Sequence, residues 1–280
     1  MKPKFRKYIQ VFLEKACRVF TRHPIGEVIA EAFIQAGMQK TVFIDHENVS
    51  IKLSVPNKIN RFRAASFSYK EPETLKWIDS LPVGSTLWDI GANVGLYSIY
   101  AAKKRNCTVF AFEPSVFNLE LLARNIFING LQNKISILPL PLAQKTGLNH
   151  LHMSTTDWGG ALSSFGAAYG WNGKAMEIAF NFQTFGVNLD EASETLHLPS
   201  PNFIKMDVDG IEHLILQGGE KALSQISGIL VEINDDFEEQ KKISEETLKK
   251  AGLSLKYKLQ GEGLKTSEFA NVFNQIWIRK

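Results

Sequence analysis

The sequence predicts an α/β protein built on a mostly parallel sheet, on three observations. From position 85 onward, short apolar runs alternate with amphipathic helical patterns, the rhythm of strand–helix–strand units. The first of these runs ends in a loop carrying Gly91 and Gly95 that leads straight into a helical pattern. The last two runs, 253–259 and 272–278, have only Gly261, Gly263 and polar residues between them, so a terminal antiparallel pair is expected.

The bulk properties fit this class. The chain has 280 residues, 44% apolar and 22% charged, which excludes disordered and collagen-like classes. Cys17 and Cys107 are its only cysteines, too few and too far apart for a disulfide framework or a structural metal site. No apolar run approaches the roughly 18 residues of a membrane span. The net charge of +3 is unevenly placed: residues 1–22 carry seven Lys/Arg against the single acid Glu14, a net of +6, which leaves −3 for the rest. A basic patch spread over the body, the mark of a nucleic-acid binder, is missing, so no nucleic-acid partner is expected.

Taken in order, residues 5, 9, 12, 13, 16, 19 and 20 are apolar at helical spacing, which predicts a basic amphipathic helix ended by His23-Pro24. Glu14 and Lys15 interrupt the apolar stretch, so a cleaved leader is rejected and the cytoplasm is the expected compartment. The stripe is expected to dock on the core, while its charge supports a second reading, peripheral contact with an anionic inner membrane surface. A second helix covers about 25–37, short extended pieces follow at 41–44 and 49–55, and Glu71-Pro72-Glu73 opens a helix reaching about Leu81. Residues 1–80 thus read as an accessory region and 81–280 as the main domain. Strands are expected at 86–90, 107–112, 135–140, 203–206 and 228–233. The helices fall at 96–104, 115–128, from Asp209 through Leu223, and at 237–251. The stretch 147–190, with strands at 148–153 and 176–182 around a Gly/Ser-rich segment, reads as an insertion over the sheet edge.

The loop Asp89-Ile90-Gly91-Ala92-Asn93-Val94-Gly95 offers backbone N–H groups and close approach for a nucleotide-like ligand. The second strand ends in Glu113-Pro114, where an acid can bind both ribose hydroxyls. A dinucleotide site uses G-x-G-x-x-G; here the pattern is G-x-N-x-G, and the Asp89 anion would repel pyrophosphate. S-adenosylmethionine, with its ribose, ammonium and sulfonium, suits the loop better. Asp89 is expected to pair with its cationic part, the backbone to meet its carboxylate, and Asn93 to add an amide contact.

These residues resemble the FkbM-type methyltransferases that use S-adenosylmethionine. The matching strings are Trp88 to Gly95, then Ala111-Phe112-Glu113-Pro114 with Asn118, Leu121 and Asn125. The third is Phe203-Ile204-Lys205-Met206-Asp207-Val208-Asp209-Gly210-Ile211-Glu212-His213, with Gly218-Gly219 beyond it. Asp209 stands where the family more commonly has Glu. The resemblance covers about residues 70–258. It implies a seven-stranded Rossmann-like sheet and methyl transfer to a hydroxyl of a sugar, glycan or other small metabolite. In related folds the segment after the third strand brings backbone groups to the adenine, which singles out Leu142 and Ala143, with Gln144 as the polar candidate.

Methyl transfer to a hydroxyl needs positioning and a proton acceptor. Asp207 ends its strand facing the glycine loop and is the favoured acceptor. His213 serves only when neutral, and the neighbouring acids work against that. Glu232, ending the next strand, points at the same cleft end. Asp207, Asp209 and Glu232 are hard oxygen ligands, but a D-x-D-x-D-G loop is lacking and no metal is expected. The segment 155–166 is read as a lid or acceptor pocket, with Trp158 or Trp171 available to stack on a sugar. A nicotinamide-dependent oxidoreductase and a non-catalytic membrane-surface adaptor are the competing functions.

Overall fold

The computed structural model describes residues 3–261 and 265–279. The expectations that fall on Lys2 and Gly263, and on the Lys4, Phe5, Arg6, Lys7 and Glu14 side chains, lie outside the described residues.

Helix α1 (Pro3–Phe20) turns at His23 into α2 (Pro24–Met38). The His23 ring accepts the Ile25 N–H, and Pro24 takes the first helical turn. Gly26 permits the close approach of the two helices, since a Cβ there would lie 2.0 Å from the Phe20 carbonyl oxygen. The expected docking of the stripe on the core does not occur: Phe12 is 70% exposed, and Phe33 on α2 is 74% exposed. The reason is that other elements already cover the core. Strands β1 (Thr41–His46) and β2 (Val49–Ser54) form a hairpin turned at Glu47 and Asn48, both at positive φ. Helices α3 (Lys58–Lys70) and α4 (Pro72–Ser80) follow. Ile51, Leu53, Phe67, Leu75 and Ile78 bury themselves in one cluster with Leu87, Ile99 and Val109, so residues 41–80 share a core with the main sheet.

Next come β3 (Thr86–Ile90), α5 (Leu96–Arg105), β4 (Thr108–Phe112), α6 (Val116–Ile128) and β5 (Ile135–Leu138). Strands β6 (Gly147–Met153), β7 (Ser163–Phe165) and β8 (Phe180–Gly186) form a separate antiparallel sheet in the order β7-β6-β8, which gives the expected insertion one strand more. After α7 (Leu189–Thr195), the chain returns through β9 (Phe203–Met206), α8 (Glu212–Gln217), α9 (Glu220–Gln225), β10 (Gly228–Asn234), α10 (Glu238–Lys250), β11 (Leu253–Leu259) and β12 (Val272–Arg279). The expected single helix through Leu223 is broken at Gly218-Gly219. A Cβ on Gly218 would lie 2.7 Å from the carbonyl oxygens of Ala143 and Gln144, so the chain kinks to pass that segment.

The main sheet has seven strands in the order β11-β12-β10-β9-β3-β4-β5. Every neighbour pairing is parallel except the two made by β12. The expected terminal antiparallel pair is therefore present, with its second strand inserted beside β10. Strand order reverses between β3 and β9, and ligands of such sheets bind at the carboxyl ends around that point. Period-2 alternation sorts the side chains: Leu87 joins the core under α3–α6, while Trp88 and Ile90 join the opposite core under α8 and α10. Asp89 lies on the Leu87 side and is in register with Lys205 of β9.

Candidate active site

A cavity of about 340 Å³ opens at this reversal point. Its walls include Gly91, Asn93, Glu113, Asp207, Asp209 and Glu232. A second cavity of about 200 Å³ adjoins it beneath α3, and Gly91, Asn93 and Asp207 line both.

The glycine loop is held by its neighbours. The Gly91 and Ala92 N–H groups both donate to the Phe112 carbonyl at 3.0 Å, and the Asn93 N–H donates to Glu113 Oε2 at 2.8 Å. Gly91 sits at φ 83°, and a Cβ there would fall 1.9 Å from the Asp207 carbonyl oxygen, so only glycine lets the loop and the β9 end approach. Gly95, at φ 85°, starts α5. Asn93 donates from Nδ2 to the Gly160 carbonyl at 2.7 Å, while its buried Oδ1 has no partner.

Glu113 is buried at the end of β4. Its Oε1 accepts the Ser115 N–H and the Asn118 amide. Burial pushes its carboxyl up to about 7, against the pull of the Ser115 and Asn93 N–H groups. Oε2 accepts only the Asn93 N–H and so keeps acceptor capacity toward the cavity. Pro114 and Leu142 line the same cavity. Ala143 lies one residue further along; its N–H donates to the Val187 carbonyl, and Gln144 bonds to Gln217, so neither faces the main cavity.

Asp89 is placed differently from the expectation. It is buried, accepts the Ser98 hydroxyl at 2.5 Å, and lies 3.5 Å from the Lys205 ammonium. It lines neither cavity. Lys205 also reaches Asp207 at 3.4 Å and sits over the Tyr97 ring. Burial alone would lower the Lys205 pKa, but Asp207, Asp89 and Glu71 outweigh it and raise it, so the cation persists.

The acids after β9 have separate tasks. Asp207 faces both cavities. Asp209, at φ 62°, accepts the Leu162 N–H at 2.7 Å; burial and Asp207 push it up to about 6. Glu212 accepts the Val208 and Gly210 N–H groups and the Gln240 amide, which shapes the turn; burial pushes it up to about 7. His213 does not reach the cleft: it is buried against the Phe237 ring, both its nitrogens lack partners, and burial lowers its pKa. The helix turn that aims Glu212 at the loop aims the next residue toward α10. Glu232 lines the main cavity, and burial, then Asp207 and Glu71, raise its pKa well above the usual range. Among the described residues no group of three or more His, Cys, Asp or Glu is placed to hold a metal.

The polar segment 157–162 lies across the cleft as a strap. Asn57 and Asn60 hold the Trp158 carbonyl, and Arg63 holds the Gly159 carbonyl through two N–H donors. Asn118 accepts the Gly159 N–H and donates to the Gly160 carbonyl. Trp171 packs on Phe269 at 4.5 Å. Sequence reasoning missed Arg63 and Lys70 because it missed α3. The signal was Asn57, whose side chain caps that helix by accepting the Asn60 N–H.

A reversed parallel sheet, a glycine loop at its switch point and a buried acid at the end of the next strand go with a Rossmann-like methyltransferase domain. The chain belongs to the FkbM methyltransferase family: the Methyltransferase FkbM domain matches residues 89–266. The family supports S-adenosylmethionine as cofactor, and the loop carries no pyrophosphate pattern. The hexuronic acid methyltransferase AglP of Haloferax volcanii is 31% identical over 148 residues, 53% of this chain and 55% of that protein. The methyltransferase sdnD of Sordaria araneosa is 34% identical over 86 residues, 30% of this chain and 33% of that protein. The matches thus span about half of the first relative and a third of the second. Among solved structures, M. jannaschii TYW2 in complex with AdoMet shows 13% identity and a TM-score of 0.45, covering 86% of this chain and 87% of that one.

Proposed function

We propose that this chain is an S-adenosylmethionine-dependent methyltransferase that methylates a hydroxyl of a sugar, a glycan or another small metabolite. The observation that carries the reading is the pair of acids facing the cleft, Asp207 where the two cavities meet and Glu232 across the sheet end. The name of the AglP relative, a hexuronic acid methyltransferase, supports a sugar-like acceptor.

When bound, the cofactor's sulfonium supplies an electrophilic methyl carbon. Glu113 would hold the ribose, and Asp207, which lines both cavities, would favour positive charge there. Glu232 would take the acceptor's hydroxyl proton as the oxygen bonds to that carbon, while the methyl–sulfur bond breaks and its electron pair stays on sulfur, which leaves S-adenosylhomocysteine. Its raised pKa moves it toward working pH, which makes it a better base than an ordinary carboxylate once ionised. In this reading residues 81–280 carry the chemistry and 1–80 form the accessory region.

Transfer of a radiolabelled methyl group to sugar, glycan and lipid fractions tests the reading, with the methylated atom located by NMR. Label in O-methyl ethers supports it; no transfer to any fraction, or label on nitrogen, overturns it. Glu232→Gln should lower kcat by about 10²-fold or more and remove the rise of kcat with pH.

The N-terminal helix belongs to the same proposal as a peripheral membrane contact. Among the described residues no helix is long and apolar enough to cross a membrane. Exposed Phe12, Leu13 and Val19 beside Lys15, Arg18 and Arg22 suit an anionic lipid surface. Sedimentation with phosphatidylglycerol vesicles but not phosphatidylcholine vesicles is the expected result, and absence from both pellets would refute it.

A further inference from the structure

We propose that the amino-acid tail of the methyl donor is held by the Lys70–Glu71 ion pair at the α3–α4 junction, and not by Asp89 or the glycine-loop N–H groups. This rests on the reading of the cleft as an S-adenosylmethionine site.

The sequence assigned the tail to Asp89 and the loop backbone, but Asp89 lines neither cavity and the N–H groups of Gly91, Ala92, Asn93 and Gly95 are engaged. Asp89 spends its charge on Lys205 and Ser98 behind the loop. The Gly91 and Ala92 N–H groups go to the Phe112 carbonyl, and that of Asn93 goes to Glu113. A zwitterionic tail entering the second cavity therefore needs other partners, and Lys70 and Glu71 line that cavity.

The pair has the right polarity. Glu71 is buried; its Oε2 accepts the Tyr97 hydroxyl at 2.9 Å, which fixes the carboxylate facing the cavity. Lys70 bonds Glu71 Oε1 at 2.7 Å, yet its side chain is 44% exposed, so its ammonium is free to swing toward a ligand carboxylate. Burial raises the Glu71 pKa, but Lys70, Lys205 and the Tyr97 hydroxyl outweigh it and hold the carboxyl below the usual range, so it is an anion at neutral pH. A ligand ammonium set against Glu71 and a ligand carboxylate against Lys70 place two opposite dipoles side by side, with no net charge brought into the cavity.

A second, independent observation points to a cationic donor in the same cavity. Asn93 Oδ1 is buried and has no partner, although the Asn93 Nδ2 is fixed on the Gly160 carbonyl. The oxygen is thus an acceptor held in place without a donor, and an ammonium with three N–H bonds can serve both it and Glu71. Lys70 and Glu71 lie outside the 89–266 match to the family. Tail recognition is thus supplied from the segment just N-terminal to that match.

The test compares two nucleosides by calorimetry on the full chain: S-adenosylhomocysteine, which carries the tail, and methylthioadenosine, which lacks it. Glu71→Gln should weaken S-adenosylhomocysteine about tenfold or more and leave methylthioadenosine within about twofold. Lys70→Met, at a partly exposed position, should do the same and decides the matter should the Glu71 variant not fold. Equal weakening of both nucleosides, or of neither, overturns the assignment. Wild type that binds methylthioadenosine as tightly as S-adenosylhomocysteine also overturns it, since no tail subsite then contributes. Wild type that binds neither overturns the donor reading itself, which separates the two failures.

Discussion

Replacing Lys205 with methionine tests the buried charge arrangement behind the glycine loop. Methionine keeps most of the volume of the side chain and deletes its charge. In the native protein Lys205 is 2% exposed, 3.5 Å from Asp89 and 3.4 Å from Asp207, with the Tyr97 ring below it. Asp207 is partly exposed and can be solvated by water. Asp89 is 1% exposed and would keep only the Ser98 hydroxyl. Removing one partner of a buried pair costs about 3–5 kcal/mol, because an uncompensated charge remains. For a domain of this size each kcal/mol shifts Tm by about 2–4 °C, so Tm should fall by roughly 6–20 °C. Calorimetric or circular-dichroism melting reads this directly. Asp89→Asn in the same chain should restore part of the loss, giving a coupling energy above about 1 kcal/mol in a double-mutant cycle. A Lys205→Met protein melting within about 1 °C of wild type, or a cycle with no coupling, would refute the reasoning.

Gly91→Ala should abolish methyl transfer and S-adenosylhomocysteine binding in a filter assay, since its Cβ would overlap the Asp207 carbonyl at 1.9 Å. Asn118→Ala should release the strap from α6 and take one partner from Glu113; faster chymotrypsin cutting at Trp158, Leu162 or Phe165 and a donor KM raised about tenfold are the expected readouts. Stability should also depend on pH. Glu113 and Glu212 at about 7, Asp209 at about 6, and raised Glu232 all have folded pKa values above their unfolded ones. Their contribution is complete below about pH 4 and is lost as pH rises through 6 to 7. Buried His213 and half-buried His152 have lowered pKa values and act the other way, losing stability as pH falls below about 6.5. With four groups against two, Tm of the ligand-free protein should fall between pH 6 and 8, and a rise across that interval would count against the assigned burial.

Much of the fold was legible because its signals are local. Alternating apolar runs mark buried strands, and a glycine loop running into a helix marks the switch point. Gly91, Asn93, Glu113, Asp207 and Glu232 were readable in this way, and the structure brings all five to one cavity. The misses also have physical causes. Helix α3 carries a weak apolar pattern, so its cap at Asn57 was its one clear mark, and Arg63 and Lys70 went unread with it. His213 looked catalytic from its neighbours in sequence, but one step along a helix turns a side chain by about 100°, which takes it from the cleft to Phe237.

The sequence by itself determined the family, the sheet class and the glycine loop at the switch point, because each is written in a short run of adjacent residues. Only the tertiary structure decided what those residues are left free to do. Asp89 and Lys205 stand 116 positions apart, and β-sheet register makes them direct neighbours. An acid that reads as a ligand for a cation thereby meets a buried cation of the chain itself. The physical reason is that a charge can be neutralised only by what lies within a few ångströms of it, and that is a property of packing rather than of order along the chain.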